Sequence, residues 1–530
     1  MLENITLDNI FSKISKWFTK DRKITFIVTF IIGLLVHFTL YSNELLAYDA
    51  YWHYGSFLAK GWEISLGRFL ISFSDILRGS VVGSILTTTI SLITISFSVI
   101  FLNEALHIKK NYLRILTSIL IVVTPTLSLT LMYPYTANGY TFAMLFAVLS
   151  IYFINKDKNF KNIIFTLICI IATLAFYQAY LCVITGLLLL SYIFKLIDDK
   201  LTCKEILKKL FVDIAIIAVG MILYYVGLNI IIAILGLNIT SYSSGNTIFS
   251  LETIKNILPS IQNAYTTFAN FYFSDNILNN TGWYRHIFYA ILFIFILINF
   301  IISIINRKIY KTPTKLILLL LGILLFPIFA CSIELIAQSR DINLLMATSL
   351  YLPIVVLIKQ IELIKNSKFN NIIQILSYFI SALIIWTFIL SNNATYIATK
   401  LYNDQMFAVG NRILSSIEDN SEITNTTPIV ILGHLDFSVQ NDSLLDLTNF
   451  DVSDVNIWTW QIFLQDHLGI GRDICTMESY NDIMNSEEFI NMPIYPSDGC
   501  TKIINGTAVV KLNYQFNIKI RSINGMLLIF

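Results

Sequence analysis

The stretch VVGSILTTTISLITISFSVIFLNEALHIKKNYLR (81–114) decides the fold. Residues 81–102 carry no charge, and a run of this length wound as a helix spans the roughly 30 Å hydrocarbon core of a bilayer. HIKKNYLR follows at once, and basic residues gather on the cytoplasmic side of membrane spans. The same phrase, an apolar run and then a basic or a polar aromatic exit, recurs along the chain. Eleven candidate spans result: 24–41, 81–102, 113–132, 140–154, 163–181, 182–197, 212–236, 286–305, 316–336, 342–358 and 371–392.

Composition agrees. Of 530 residues 56% are hydrophobic and 13% charged, and the mean hydropathy is +0.69, which excludes a soluble globular or a disordered chain. The overall charge of +2 hides an asymmetry: residues 396–530 carry 7 Lys/Arg and 16 Asp/Glu, net −9, which leaves +11 for residues 1–395. Nothing in this balance points to nucleic acid.

Loop signs set the topology. The second, fourth, sixth, eighth and tenth runs exit into HIKKNYLR, NKDKNFKN, KLIDDKLTCKEILKKL, NRKIYKTPTK and KQIELIKNSKFN, each rich in lysine or arginine. The odd exits (SNELLAYDAYWHYG, YPYTANG, FYQAYL, NITSYSSGN…GWYR and AQSRDINL) are polar, aromatic and poor in lysine. The amino terminus is therefore expected inside, and an odd number of spans places the acidic tail outside. The first apolar run follows Lys13, Lys16, Lys20, Arg22 and Lys23 but precedes no small-residue cleavage site, so it reads as a retained span.

These readings give a polytopic α-helical membrane body over 1–395, with long outer loops at 42–80 and 237–285, and a small α/β domain over 396–530. In that tail Tyr396–Ile417 has helical spacing, while PIVILGHL and TAVVKLNY read as strands. Cys475 and Cys500 are its only cysteines, and a disulfide between them is expected in an oxidising compartment. No Cys/His spacing marks a metal site.

Chemistry concentrates in the outer loops. Glu44 and Asp49 stand just beyond the first span among Tyr48, Tyr51, Trp52, Tyr54, Phe57, Trp62 and Phe69. A carboxylate at an apolar boundary suits a general base because partial burial raises its pKa, although a single interfacial acid more often faces water. Flat rings such as Trp52 and Trp62 stack on sugars or anchor at headgroup level. Arg68, after Gly67, and Arg340 are placed to clamp a phosphate, with Arg285 a weaker candidate for which a headgroup contact is the plainer reading. Glu334, near the end of the ninth span, is a candidate for pairing with Arg340 or shaping a polar vestibule.

Several signatures are missing. The sequence has no GxxxxGK[ST], GxGxxG after a strand, or HExxH, and no soluble nucleotide-sugar domain. A donor used outside must then bring its own leaving group, and a polyprenyl-phosphate sugar does so.

The first span, the loop YDAYWHYGSFLAKGWEISLGRFL, the turns YPYTANGY and FYQAYLCVITG, QSRDINLL before a late span, and PIVILG in the tail together resemble the membrane glucosyltransferases that modify bacterial O-antigen, the type II Gtr family. The resemblance implies a GT-C architecture and an inverting hexosyltransferase of EC 2.4 type, using polyprenyl-phosphate glucose on a cell-envelope polysaccharide at the outer face of the bacterial cytoplasmic membrane. It assigns Asp49 as the first-loop acid, Trp62 and Gly67-Arg68 as the aromatic and GR portion, Gln178 as the polar turn after the fifth span, and Arg340 as the late arginine. Many GT-C enzymes have adjacent acids in this loop, whereas Asp49 is followed by Ala50, so Asp49 and Glu44 both stand as candidate bases. No cofactor is implied, and a divalent ion is not favoured. The implied partners are the lipid-linked donor, the glycan acceptor, the bilayer, a flippase and a donor-synthesising glycosyltransferase.

Two other classes compete. A transporter of lipid-linked sugar or polysaccharide would carry inverted repeats and midplane polar residues; here no repeat is visible and the polar residues collect in the loops. A non-catalytic envelope-assembly protein would tolerate Asp49→Asn.

Overall fold

The structure, a computed structural model, describes residues 6–53, 55–198, 201–240, 256–274, 284–336, 342–364, 367–424, 426–433, 447–448, 460, 463–469, 477–512, 520–523 and 526–529. It is mostly helical and forms two compact units, one of 1–44, 55–394 and 446–450, the other of 45–54, 395–445 and 451–530. The short segment 45–54, which carries Asp49, thus belongs with the tail residues.

In the first unit the chain runs α1 (Leu7–Trp17), α2 (Lys20–Val36), α3 (Phe38–Ser42), α4 (Gly61–Ser65), α5 (Ile71–Arg78), α6 (Ser84–Ala105), α7 (Asn111–Val122), α8 (Pro125–Leu131), α9 (Pro134–Ile154), α10 (Phe160–Phe176), α11 (Leu181–Asp198) and α12 (Cys203–Leu235). Then come α13 (Ile257–Phe273), α14 (Tyr284–Asn306), α15 (Pro313–Ala330), α16 (Leu352–Leu363) and α17 (Lys368–Glu418), the last continuing into the second unit. The eleven apolar runs fall largely on these helices, the tenth running through the 3-10 helix Leu344–Tyr351 into α16. Among the described residues eight helices are long and apolar enough to cross a membrane, or nine if the pair α7 and α8 is one span. The first and fifth runs form the 17-residue α2 and α10.

Proline explains two departures from the expected boundaries. The run 113–132 is not one straight rod: it bends by 49° between α7 and α8, where Pro125 has no N–H to continue the ladder. That break strands the last carbonyls of α7, and two distant side chains take them up. His37 Nε2 donates to the Val122 carbonyl at 2.8 Å, and Asn392 Nδ2 to that of Val123, also at 2.8 Å. Pro134 starts α9, so most of YPYTANG is the first turn of a helix rather than a loop.

Small residues let the helices close up. A Cβ at Gly33 would lie 2.6 Å from Leu92 Cδ2 and 2.8 Å from Val122 Cγ2, so only glycine permits this approach of α2 to α6 and α7. The charge of Asp213 on α12, almost fully buried, is paired: it lies 2.5 Å from Lys158 Nζ and accepts from Tyr192 Oη at 2.6 Å. Arg285 is buried on α14 and donates to Ser391 Oγ at 3.1 Å over the Phe388 ring, which argues against a headgroup contact.

The second unit has a three-stranded sheet. Strand β1 (Ile429–Leu432) lies parallel to β3 (Thr507–Lys511), which pairs antiparallel with β2 (Thr501–Ile504). Asn505 and Gly506, both at positive φ, make the two-residue hairpin turn. Val430, Leu432, Ile504 and Val509 pack with Tyr480, Ile483 and Phe489. Lys511 is buried, yet its Nζ donates to the Phe489 and Ile490 carbonyls at 2.7 and 2.8 Å, where a short helix ends. Cys500 is a free, buried thiol, and Cys475, the other cysteine of the expected disulfide, lies outside the described residues.

Candidate active site

The first long loop is braced before it reaches the candidate arginine. Strands Gly55–Ser56 and Val81–Val82 pair and close the loop on itself. Within it Arg78 lies 2.5 Å from Asp75 and donates to the carbonyls of Phe57, Gly79 and Tyr135 at 3.0, 3.2 and 3.3 Å, while the Ala59 N–H donates to Asp75 at 2.7 Å. Both side chains are almost fully buried. Burial pushes the Asp75 carboxyl up, and the Ala59 N–H and Arg78 pull it back.

Helix α4 opens with a capping box in which the Glu63 carboxylate accepts from the Lys60 N–H at 2.8 Å. Burial raises the Glu63 pKa more than that bond and Arg68 lower it. A raised acid binds its proton more tightly folded than unfolded, so the charge on Glu63 costs stability at neutral pH. Stability is expected to rise as pH falls from neutral towards 4.5, and Glu63→Gln should flatten that rise. Thermal unfolding across this range checks it, and an equal slope in both proteins would contradict it.

Beyond α4 the chain reverses at Gly67, at φ +84°. A Cβ there would lie 2.4 Å from Tyr224 Oη and 2.6 Å from Gln178 Nε2, so both the backbone angle and the space demand glycine. Those two side chains clamp the turn. Gln178 Nε2 donates to the Leu66 carbonyl at 2.8 Å and to Tyr224 Oη at 3.0 Å, and Tyr224 Oη donates to the Gly67 carbonyl at 2.9 Å. Gly67→Ala should therefore destabilise the protein by about 1–3 kcal/mol; an unchanged midpoint of thermal unfolding would refute the clamp.

The clamp presents Arg68. Its guanidinium lies 4.8 Å from the Tyr177 ring centre, and Nη1 donates to Tyr140 Oη at 3.1 Å. The Tyr140 and Tyr177 rings are themselves stacked, 4.0 Å apart and 9° from parallel. Arg68 is thus a planar cation held on an aromatic face. Leu174, Leu181, Met221, Tyr225, Ile333 and Ile336 join Gln178 and Tyr224 around a small apolar cavity of about 30 Å³.

The structure brings two of the expected residues, Arg68 and Gln178, to one place. Glu334, on the short turn Ser332–Leu335 beside that cavity, is buried and accepts from Thr267 Oγ1 at 3.0 Å. Its expected partner Arg340 lies outside the described residues. Trp52 and Trp62 are 37% and 40% exposed, enough for a ring face to meet a ligand. Glu44 is exposed at φ +48°, and Asp49 lies on the short 3-10 helix Tyr48–His53. No group of three or more His, Cys, Asp and Glu among the described residues could hold a metal ion.

Four aromatic or charged residues went unrecognised in the sequence: Tyr140, Tyr177, Tyr224 and the buried Asp75. The first two fall inside YPYTANGY and FYQAYL, so the aromatic exits carried a signal. Tyr224 had none, being one apolar-run residue among many.

A bundle of long apolar helices defines a membrane protein. The chain belongs to the glucosyl transferase GtrII family, whose model matches residues 39–357, and it is a glycosyltransferase. No match is found among curated proteins or solved structures.

Proposed function

We propose that the chain is an inverting GT-C glucosyltransferase that moves glucose from a polyprenyl-phosphate carrier to a cell-surface glycan of the O-antigen kind. It works at the outer face of the bacterial cytoplasmic membrane, with eleven spans, the amino terminus inside, and a separate outer domain from about residue 396.

The observation that carries this reading is Arg68 on its turn clamped by Gln178 and Tyr224. A lipid phosphate needs a cation for its headgroup. An arginine has five N–H donors, enough to hold Tyr140 and a phosphate oxygen together. Asp49 or Glu44 takes the proton from an acceptor hydroxyl; that oxygen attacks the anomeric carbon, and the bond to the lipid phosphate breaks with its electron pair leaving on the phosphate. Arg68 and Arg340 stabilise the leaving charge. Trp52 and Trp62 stack on sugar, Glu334 contacts it, and Gln178 positions the arginine turn.

Arg68→Met keeps the stem but removes the donors, and should weaken donor binding by about 1.5–3 kcal/mol. Titration of the protein with polyprenyl-phosphate glucose reads this, and equal affinity would remove Arg68 from the site. The stereochemical test is the anomeric configuration of the product by NMR: a β-linked donor should give an α-linked glucose, and a β product would overturn the single displacement.

A further inference from the structure

The helix α1 (Leu7–Trp17) is well built at both ends. Thr6 Oγ1 accepts from the Asn9 N–H at 3.3 Å, Asp8 sits in the first turn and Lys16 in the last, each matched to the helix dipole. Yet an 11-residue helix does not hold itself together in water. Leu7, Phe11 and Ile14 share one face by their spacing and are 72%, 66% and 48% exposed. Asn9, Ser12, Lys13 and Lys16 occupy the other face and are also exposed. Its stability must come from something that covers the apolar stripe.

The end of α1 fixes where that cover lies. Trp17 packs on Phe97 and Phe101, ring centres 6.1 and 5.9 Å away, in the last turns of the long apolar α6. Arg22 lies 4.3 Å from the Trp17 ring centre, donates to the Trp17 carbonyl at 2.8 Å, and bridges to Glu104 at 2.5 Å. Asp21 bridges to Arg114 at 3.5 Å near the start of α7. Thus α1 leaves the bundle where α2, α6 and α7 all end or begin, which is the level of the membrane boundary. Lys13, Lys16, Lys20 and Lys23 are exposed around that level.

We infer that α1 lies in the headgroup region of an anionic leaflet, with Leu7, Phe11 and Ile14 in the acyl boundary and the four lysines on lipid phosphates. The charge pattern selects the occupant. A neutral surface would satisfy the stripe but leave four lysines without counter-charge, whereas each lysine near an anionic surface favours the bound position by about fivefold.

The test uses the full chain in vesicles, with Cys203 and Cys475 replaced by serine and a nitroxide at Phe11→Cys or Lys16→Cys. In phosphatidylglycerol-containing bilayers the Phe11 label should collide with oxygen and lie about 5–10 Å below the phosphates, while the Lys16 label should meet the aqueous nickel reagent. In phosphatidylcholine alone, or with Lys13, Lys16, Lys20 and Lys23 changed to glutamine in the Phe11-labelled chain, the Phe11 label should shift towards water. A Phe11 label reached by nickel in the anionic bilayer would overturn the proposal. So would one shielded from both reagents, the mark of a protein partner or second copy, or one equally deep in both lipids.

Discussion

Asp49→Asn is expected to lower turnover by 10²–10⁴-fold, the usual size of general acid–base catalysis, while donor binding survives. Asparagine keeps the size and much of the hydrogen bonding of aspartate but cannot take a proton near neutral pH. The partner experiment is Glu44→Gln. Normal turnover in Asp49→Asn with a dead Glu44→Gln moves the base to Glu44, and normal turnover in both removes the first-loop carboxylate from the reaction. An intact thermal unfolding profile in each variant separates lost chemistry from lost fold.

The second large effect concerns the brace beneath the site. Arg78→Met leaves the Asp75 carboxylate buried without its cation and strands the carbonyls of Phe57, Gly79 and Tyr135. Removing one partner of a buried pair costs about 3–5 kcal/mol. The unfolding midpoint in detergent should drop accordingly, and Asp75→Asn should cost less because the Arg78 cation it leaves behind still has the Phe57, Gly79 and Tyr135 carbonyls as acceptors. Equal stability of Arg78→Met and the parent would show that the pair does not hold the loop.

Much of this was legible in the sequence because lipid imposes a simple rule: backbone groups must pair within the helix, so apolar runs of about 20 residues become helices. The tail strands PIVILGHL and TAVVKLNY were legible for a similar reason, continuous apolar runs in an otherwise acidic segment. Helix ends were harder. Pro125 and Pro134 were visible, but whether a proline kinks a helix or starts one depends on neighbours such as His37 and Asn392, which lie far away in sequence. The candidate site was half legible. Arg68 after Gly67 stood out as a candidate phosphate clamp in the first long loop, Gln178 came from the family resemblance, and the structure joins them. Tyr224 did not, because a tyrosine in an apolar run looks like packing until its hydroxyl is found on the Gly67 carbonyl. Asp75 and Arg78, three residues apart, carried no signal in the sequence, and only the fold of the loop over them buries both.

The lipid-linked donor is the central claim, and one measurement tests it most directly. Purified protein in vesicles is given a glycan acceptor and radiolabelled glucose on either polyprenyl phosphate or a nucleotide. Label should enter the glycan from the polyprenyl-phosphate donor only, and Asp49→Asn should abolish most of that transfer. Label entering from the nucleotide donor, or transfer from the lipid donor that is indifferent to both Asp49 and Glu44, would contradict the account.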